Sequence, residues 1–504
     1  MQTPSKEIFR KYTDDATFAR IKEFTTVSAM WEHCVNTFGD APAIVDEGKT
    51  HSFAELEADV AGFRTLLGDN PSGTRVALFA ANSYDFVKAY LAAVTSGLCC
   101  AIFPAHLPAE AVFGCCMMFG IKKLVYQKDF EPRLELVKAK RPDIALLPAD
   151  ALCDEKKPAV PCDAKTPCAI VFTGGTTGKS KGALLSNDAV MQGTINGCYG
   201  YPDVFGQRYL LVLPLSHVFG LIRNLMTSLY TGSALYICRN NKDMFRDVAI
   251  FKPTILVIVP ALAEMALTLS KKFGRNMLGA DLKTIICGAA PVSPFLVTEY
   301  DKLGIKLLPG YGLTESANLV SGNPESLRKP ESVGLPFPNQ EFKIVDGELW
   351  LKGRNMMDGY VGVEEPGAYE DGWFRTGDLV RLDDEGYLYI TGRIKEIIVL
   401  PNGENVSPAE VETHFNALPF IQDSQVFESR SALGEPILAL EVVLRPTELI
   451  NLDDEARKAF AVSELEKVNR TLPGFMQVSR IVVRDTDFQR SPAMKIVRYK
   501  HVQD

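Results

Sequence analysis

Short apolar runs alternate with longer amphipathic stretches through residues 52–308. Residues 75–80, 98–103, 123–126 and 144–147 read as strands, each four to six residues long and rich in apolar side chains. Ser52-Phe-Ala-Glu-Leu opens a helical pattern that runs to Leu67. Asn82 or Ser83 can cap the next helix, Gly97 can end it, and a third follows Pro108. Strands alternating with helices predict a parallel sheet covered on both faces. Residues 154–166 are charged and proline-rich, an exposed connection. A buried strand follows at 168–172, then a second series at 209–213, 234–238, 255–259, 284–287 and 305–308. The second series repeats the architecture of the first without repeating its sequence. The expectation is therefore an α/β chain with two doubly wound subdomains.

From about residue 341 the period changes. Gly347-Glu-Leu-Trp-Leu-Lys352 alternates with period two, as do the segments on either side of the turn Asp383-Asp-Glu-Gly386, which predicts a small antiparallel sheet. Beyond Arg393 the pattern is mixed: helices at 410–418 and 453–472, strands at 437–444 and 480–484. A domain boundary is placed at Gly392-Arg-Ile-Lys395, giving domains 1–392 and 396–504 joined at 393–395.

Length adds that 504 residues exceed one ordinary core. The net charge of −8, with no long run of lysine or arginine, excludes a nucleic-acid-binding tail. It also requires local positive charge wherever a polyphosphate binds. The eleven cysteines show no metal-ligand spacing and sit mostly in apolar runs, the pattern of reduced core thiols in a cytoplasmic protein. The N-terminus has no apolar leader, and the longest apolar stretch, 255–269, is broken by Pro260 and Glu264, so no integral membrane segment is expected.

The candidate chemistry centres on Val171-Phe-Thr-Gly-Gly-Thr-Thr-Gly-Lys-Ser-Lys-Gly182. Glycines let such a loop turn backbone N–H groups toward an anion, and the threonines and lysines add donors and charge. It is not a Walker A loop, since Thr173 stands where that motif has glycine. Gly310-Tyr-Gly-Leu-Thr-Glu-Ser316 follows an apolar strand, the place where open α/β sheets bind ligands. There Tyr311, between Gly310 and Gly312, can offer a ring face to a flat base, and Glu315 is a hard ligand suited to Mg²⁺. Asp378 ends an aromatic strand and can accept ribose hydroxyls. Arg393 could bind ribose or phosphate, although a solvated linker charge is as common. His217, in Pro214-Leu-Ser-His217-Val-Phe-Gly220, has apolar neighbours, where a lone histidine is more often a satisfied core residue than a catalyst.

Six segments occur in one order: Phe172-Thr-Gly-Gly-Thr-Thr-Gly-x-x-Lys-Gly182, Pro214-Leu-Ser-His217, Tyr311-Gly-Leu-Thr-Glu315, Thr376-Gly-Asp378, Gly392-Arg393-x-Lys395 and Lys495. Together they resemble the adenylate-forming superfamily of AMP-forming acyl-CoA synthetases, peptide-synthetase adenylation domains and luciferases, from about Ser52 to Arg498. The resemblance implies a large N-terminal domain of two α/β subdomains plus a β-rich one, and a small mobile α+β C-terminal domain. It assigns Thr173, Gly174, Gly175, Thr176, Thr177, Gly178 and Lys181 to the ATP β- and γ-phosphates. Gly288, Ala289 and Ala290 would lie along the adenine edge, with Gly310, Tyr311 and Gly312 stacking on it. Asp378 and Arg393 would hold ribose and Glu315 would hold Mg²⁺. Catalytic roles fall to Lys495, Glu315, His217 and Thr314, with Lys395 as the hinge and Gly403 near the second substrate.

The loop departs from the commoner family form at Gly174 and Ser180, and Met494 precedes Lys495 where glycine is usual. The Gly174 form resembles some fatty-acyl-CoA synthetases, so a medium- or long-chain fatty acid is the favoured substrate. The expected pocket, 217–221, 288–291 and 310–314, offers no clear cation for a dicarboxylic acid. The implied reaction uses ATP, Mg²⁺ and CoA to make an acyl thioester. Loading an acyl carrier protein or acting on aryl acids are the alternatives, and a nucleotide-binding module without catalysis is a third. A cytoplasmic monomer or homodimer is expected.

Overall fold

The computed structural model describes residues 4–173, 181–201, 203–400, 404–430, 436–490 and 496–498. Two large sheets dominate. The first runs Gly359–Val361, Lys181–Ser186, Pro167–Thr173, Cys99–Phe103, Arg75–Phe79, Lys123–Tyr126, Ala145–Pro148 from edge to edge. Its five strands from Pro167–Thr173 to Ala145–Pro148 pair in parallel, as the alternating pattern predicts. The second sheet carries Arg208–Leu211, Ala234–Ile237, Ile255–Ile258, Thr284–Cys287 and Lys306–Leu313, again in parallel.

Local signals explain the helices between them. Ser52 and Glu55 exchange hydrogen bonds in a capping box at the start of Phe53–Leu67. Ser83, not Asn82, caps Tyr84–Thr95, and Gly97 turns out of that helix at φ +72°. Nearly every side chain of Tyr84–Thr95 is buried, so this helix lies inside the main core rather than over it.

Three features were not anticipated. The hairpin Pro42–Asp46/Lys49–Ser52 leaves the N-terminal half and joins the edge of the second sheet, Ile44 pairing with Leu235. Strands Lys181–Ser186 and Gly359–Val361 close the first sheet with antiparallel pairs. The segment Phe219–Met226 is a π-helix, buried along its whole length.

The antiparallel sheet is present as Gln340–Val345, Glu348–Gly353, Tyr369–Glu370, Trp373–Leu382 and Leu388–Arg393. Beyond it, Ile421–Arg430, Pro436–Leu444 and Arg480–Arg484 form a three-stranded sheet against helices Pro408–Asn416 and Asp454–Thr471. This region has its own apolar core, including Val406, Val411, Phe415, Leu440 and Leu465. All eleven cysteines are unpaired and eight are buried, so they pack as small apolar groups. Among the described residues no helix is long and apolar enough to cross a membrane.

Candidate active site

The site forms where strands of both large sheets end. Pro167–Thr173 delivers Thr173, and Lys181 opens the antiparallel partner directly opposite it. Gly174, Gly175, Thr176, Thr177 and Gly178, expected to wrap a polyphosphate, lie outside the described residues. Thr173 is buried, and the Lys181 ammonium pairs with Glu365 while lying 5.1 Å from the centroid of the Tyr360 ring.

Tyr360 links this lysine to the expected metal ligand. It sits on Gly359–Val361, which pairs with Lys181–Ser186, and its phenol donates to Glu315 Oε1 at 2.7 Å. Burial, then the Glu315 charge, push the Tyr360 phenol well above its ordinary range, so it remains a donor. Glu315 itself stands in a short turn, Thr314–Ser316, with Thr314 buried beside it.

A second cluster is made by strand register. Asp378 on Trp373–Leu382 pairs directly with Arg393 on Leu388–Arg393, and Arg393 Nε meets Asp378 Oδ1 at 2.7 Å. The Tyr311 hydroxyl, arriving from the end of Lys306–Leu313, donates to Asp378 Oδ2. Burial first, then the Asp378 charge, raise the Tyr311 phenol far above its usual value. Asp378 therefore already engages each oxygen, and a ribose would share it with Tyr311 and Arg393. The glycines around Tyr311 have a different reason from the one expected. A Cβ on Gly312 would fall 2.1 Å from the Asn318 carbonyl oxygen, and one on Gly310 would press on Leu319. Close packing against Asn318–Gly322, not freedom for the ring, requires them.

Gly288 lets Thr284–Cys287 approach its neighbour: a Cβ there would meet the Gly310 carbonyl oxygen at 2.8 Å. Ala289 follows at φ +68°, a left-handed backbone that costs a β-carbon residue about 1–2 kcal/mol. Ala290 continues the same turn.

His217 caps the loop after Arg208–Leu211. Its Nδ1 accepts from the Phe219 N–H at 3.2 Å, which leaves Nε2 as the protonated nitrogen. It is half-buried, not locked in the core. Lys395 is exposed in the turn Ile394–Glu396, while Lys495 and Gly403 lie outside the described residues. On either side of Lys495, Arg490 is held by Asp423 and Asp487, and Arg498 by Glu412 and Glu396.

The structure thus brings Lys181, Glu315, Tyr311, Asp378 and Arg393 around the end of one strand. Sequence reasoning missed Tyr360 and Glu365, whose only signal was a polar-aromatic turn after Asp358. Among the described residues no group of three or more His, Cys, Asp or Glu gathers as a metal site.

Comparison with known proteins agrees with this geometry. Residues 31–361 match the AMP-binding enzyme family and residues 395–504 the AMP-binding enzyme C-terminal domain. The chain is 33% identical over 358 residues to 4-coumarate–CoA ligase-like 6 of Arabidopsis thaliana, spanning 66% of this chain and 61% of that one. It is 26% identical over 422 residues to 2-succinylbenzoate–CoA ligase of Enterococcus faecalis, spanning 79% and 83%. The match to a long-chain-fatty-acid–CoA ligase of Mycobacterium bovis covers 52% of each chain at 29% identity. The chain therefore spans between half and two thirds of the length of several curated relatives. The crystal structure of an anthranilate CoA ligase in complex with anthranoyl-AMP shares the fold, with a TM-score of 0.81, 18% identity and coverage of 94% and 95%. The chain belongs to the AMP-binding enzyme family.

Proposed function

We propose that this member of the AMP-binding enzyme family is an ATP-dependent acid–CoA ligase that works through an acyl-adenylate. The observation carrying this reading is that a single strand, Lys306–Leu313, ends between two clusters of complementary chemistry. On one side Tyr311, Asp378 and Arg393 form a polar seat for a ribose and base. On the other, Glu315, Tyr360 and Lys181 form an acid, a donor and a cation suited to phosphates.

In the first half-reaction the substrate carboxylate attacks the α-phosphate of ATP, and pyrophosphate leaves. Little covalent help is needed; the task is to align two anions and neutralise their charge. Lys181 would hold the departing pyrophosphate together with Thr173, Thr176 and Thr177. Glu315 fits a Mg²⁺ ion, since Tyr360 takes only one of its oxygens, and the ion when bound would neutralise phosphate charge. With Nδ1 accepting from the Phe219 N–H, His217 would offer its Nε2–H to a carboxylate oxygen. Lys495 would bridge that carboxylate and the α-phosphate.

In the second half-reaction CoA thiol attacks the acyl-adenylate. Residues 396–504 would turn about Lys395, withdrawing Lys495 and presenting Gly403 to the site, which also shields the adenylate from water. The relatives described above pair CoA with coumaric, long-chain fatty and succinylbenzoic acids, which supports the thiol more than any one acid. The fatty-acid preference rests on Gly174, outside the described residues.

The test is pyrophosphate release with a panel of carboxylic acids, with and without CoA. Acid-dependent release with acyl-CoA as product is expected. Release without acyl-CoA would point to a carrier-protein acceptor, and no release with any acid despite ATP binding would overturn the ligase. Lys495→Ala should abolish adenylation while leaving thioester formation from supplied acyl-adenylate largely intact.

A further inference from the structure

Three arginines are among the largest fully buried side chains: Arg64, Arg223 and Arg445. Two are paired as buried cations must be. Arg64 bonds Glu57, Thr95 and the Lys157 carbonyl. Arg445 bonds Glu264 and the Pro419 carbonyl. Arg223 is 0% exposed, yet among the described residues no carboxylate pairs with it and its three guanidinium nitrogens make no well-formed hydrogen bond, the nearest polar groups being the Tyr201 and Tyr209 hydroxyls. The groups around it are neutral: the Tyr201 ring, 5.3 Å from the guanidinium carbon, the Tyr209 hydroxyl and Cys198. The Tyr209 hydroxyl is buried beside the guanidinium and, among the described residues, makes no well-formed hydrogen bond of its own. An arginine cannot shed its charge to escape this.

Its place in the fold connects it to the site. Arg223 lies on the buried π-helix Phe219–Met226, a form that recurs at functional sites. Phe219, at the start of that helix, reaches the site wall: a Cβ on Gly288 would meet Phe219 Cζ at 3.6 Å. Phe219 and Arg223, four residues apart, share a helix face, so Arg223 stands one turn deeper along the same wall.

We propose that Arg223 is the inner anchor of the acid pocket, and that the substrate carries a second carboxylate at the end opposite the one activated. This rests on the ligase reading above and narrows it. A carboxylate matches the guanidinium fork two-to-two and supplies the charge that Arg223 lacks, while the Tyr209 hydroxyl can add a further hydrogen bond. The preference for a simple fatty acid is thereby replaced: an apolar tail would leave a buried cation uncompensated against it.

The experiment uses the full chain and matched pairs of acids, linear and aryl, that differ only in a distal carboxylate. Pyrophosphate release from the wild type should favour the dicarboxylic member of the best pair by about 100-fold or more in kcat/KM, the penalty for leaving a built polar partner unpaired. Arg223→Leu should lose that preference and gain on the monocarboxylic member, and Arg223→Lys should retain part of it. In parallel, the dicarboxylic acid alone should raise the wild-type Tm and leave that of Arg223→Leu unmoved. A wild type that prefers monocarboxylic acids, or an Arg223→Leu variant with an unchanged acid profile and a lowered Tm, would overturn the proposal and leave Arg223 as a packing partner of Tyr201. Should no acid release pyrophosphate, the ligase reading fails, and the Arg223-dependent Tm shift still decides whether the anion anchor exists.

Discussion

Asp378 concentrates more of the site than any other side chain. It is almost fully buried and engages Tyr311 through one oxygen and Arg393 through the other. Replacing it with asparagine removes the charge that orders Arg393 and breaks one or both bonds. Charge-assisted hydrogen bonds contribute about 2 kcal/mol each, so Asp378→Asn should raise the KM for ATP roughly 30-fold. Steady-state kinetics at saturating acid measures this directly; an unchanged KM would remove Asp378 from the nucleotide site. Tyr360 makes a different prediction. Its phenol orients Glu315 but reaches no expected substrate group. Tyr360→Phe should lower kcat about tenfold, the value of one hydrogen bond to a carboxylate, and change the KM for ATP little. Equal changes in both would mean that the phenol touches the nucleotide. At this scale Lys181, Glu315, Asp378 and Arg393 became candidates through six motifs in one order, since each alone reads equally well as a turn residue or a solvated charge. Arg223 was not among the candidates, although it is the lone cation within Val218-Phe-Gly-Leu-Ile-Arg-Asn-Leu-Met226. What the chain could not reveal is that, among the described residues, no acid pairs with it, since pairing partners such as Glu57 for Arg64 are set by packing.

The elements legible from sequence are those whose signal is local. The five parallel strands named in each large sheet are apolar runs bounded by caps and turns, and each was placed within a few residues. Pairing was harder. The hairpin Pro42–Asp46/Lys49–Ser52 binds Ala234–Ile237, far away in the chain, and nothing in its own residues names that edge. The π-helix has no sequence signal of its own here, since all eight of its residues are buried and no polar face marks its period. Strand Ile421–Arg430 is mostly polar, so its pairing with Pro436–Leu444 carried no apolar signal. One element also has a clear acid dependence. The turn Asp383-Asp-Glu-Gly386 joins the strands that carry Asp378 and Arg393, and Arg328 and Lys329 grip it through Glu385 and Asp383. The Arg328 hydrogen bond, then that of Lys329, lower Glu385 from 4.5 to about 2. For Asp383 burial is the largest single influence and pushes upward, but the bonds from Lys329, the Tyr387 and Glu385 N–H groups and the Tyr389 hydroxyl together outweigh it and bring the carboxyl down to about 2. Because both folded values are depressed, the stabilisation is present above pH 4.5 and is lost as pH falls toward 2. Hydrogen exchange should show the amides of 383–390 loosening in that window before those of Arg75–Phe79; simultaneous loosening would mean that the grip contributes nothing local.

The whole molecule is held in its present arrangement by a buried contact between its two cores. Arg445, beside the C-terminal core, enters the N-terminal body and bonds Glu264 on helix Pro260–Phe273 at 2.7 Å, with its guanidinium 4.0 Å from the Phe295 ring centroid. Lys271 on the same helix reaches Glu448 at 2.8 Å. Any rotation about Lys395 has to withdraw Arg445 from this seat, so the pair acts as a latch on one of the two arrangements that the proposed reaction needs. A buried pair is costly to break from one side, by about 3–5 kcal/mol, but often close to neutral when both partners become apolar. Arg445→Ala should therefore release the C-terminal domain, and its two half-reactions should move in opposite directions: the one served by the latched arrangement slows, the other holds or quickens. Pyrophosphate exchange reads the first half-reaction, and thioester formation from supplied acyl-adenylate reads the second. Arg445→Met with Glu264→Leu should restore docking, seen as protection of the 393–395 segment from proteolysis, without restoring the balance between the two rates. If Arg445→Ala slows both half-reactions alike and the double variant does the same, the contact holds the two cores together as one body, and the rotation must be sought elsewhere.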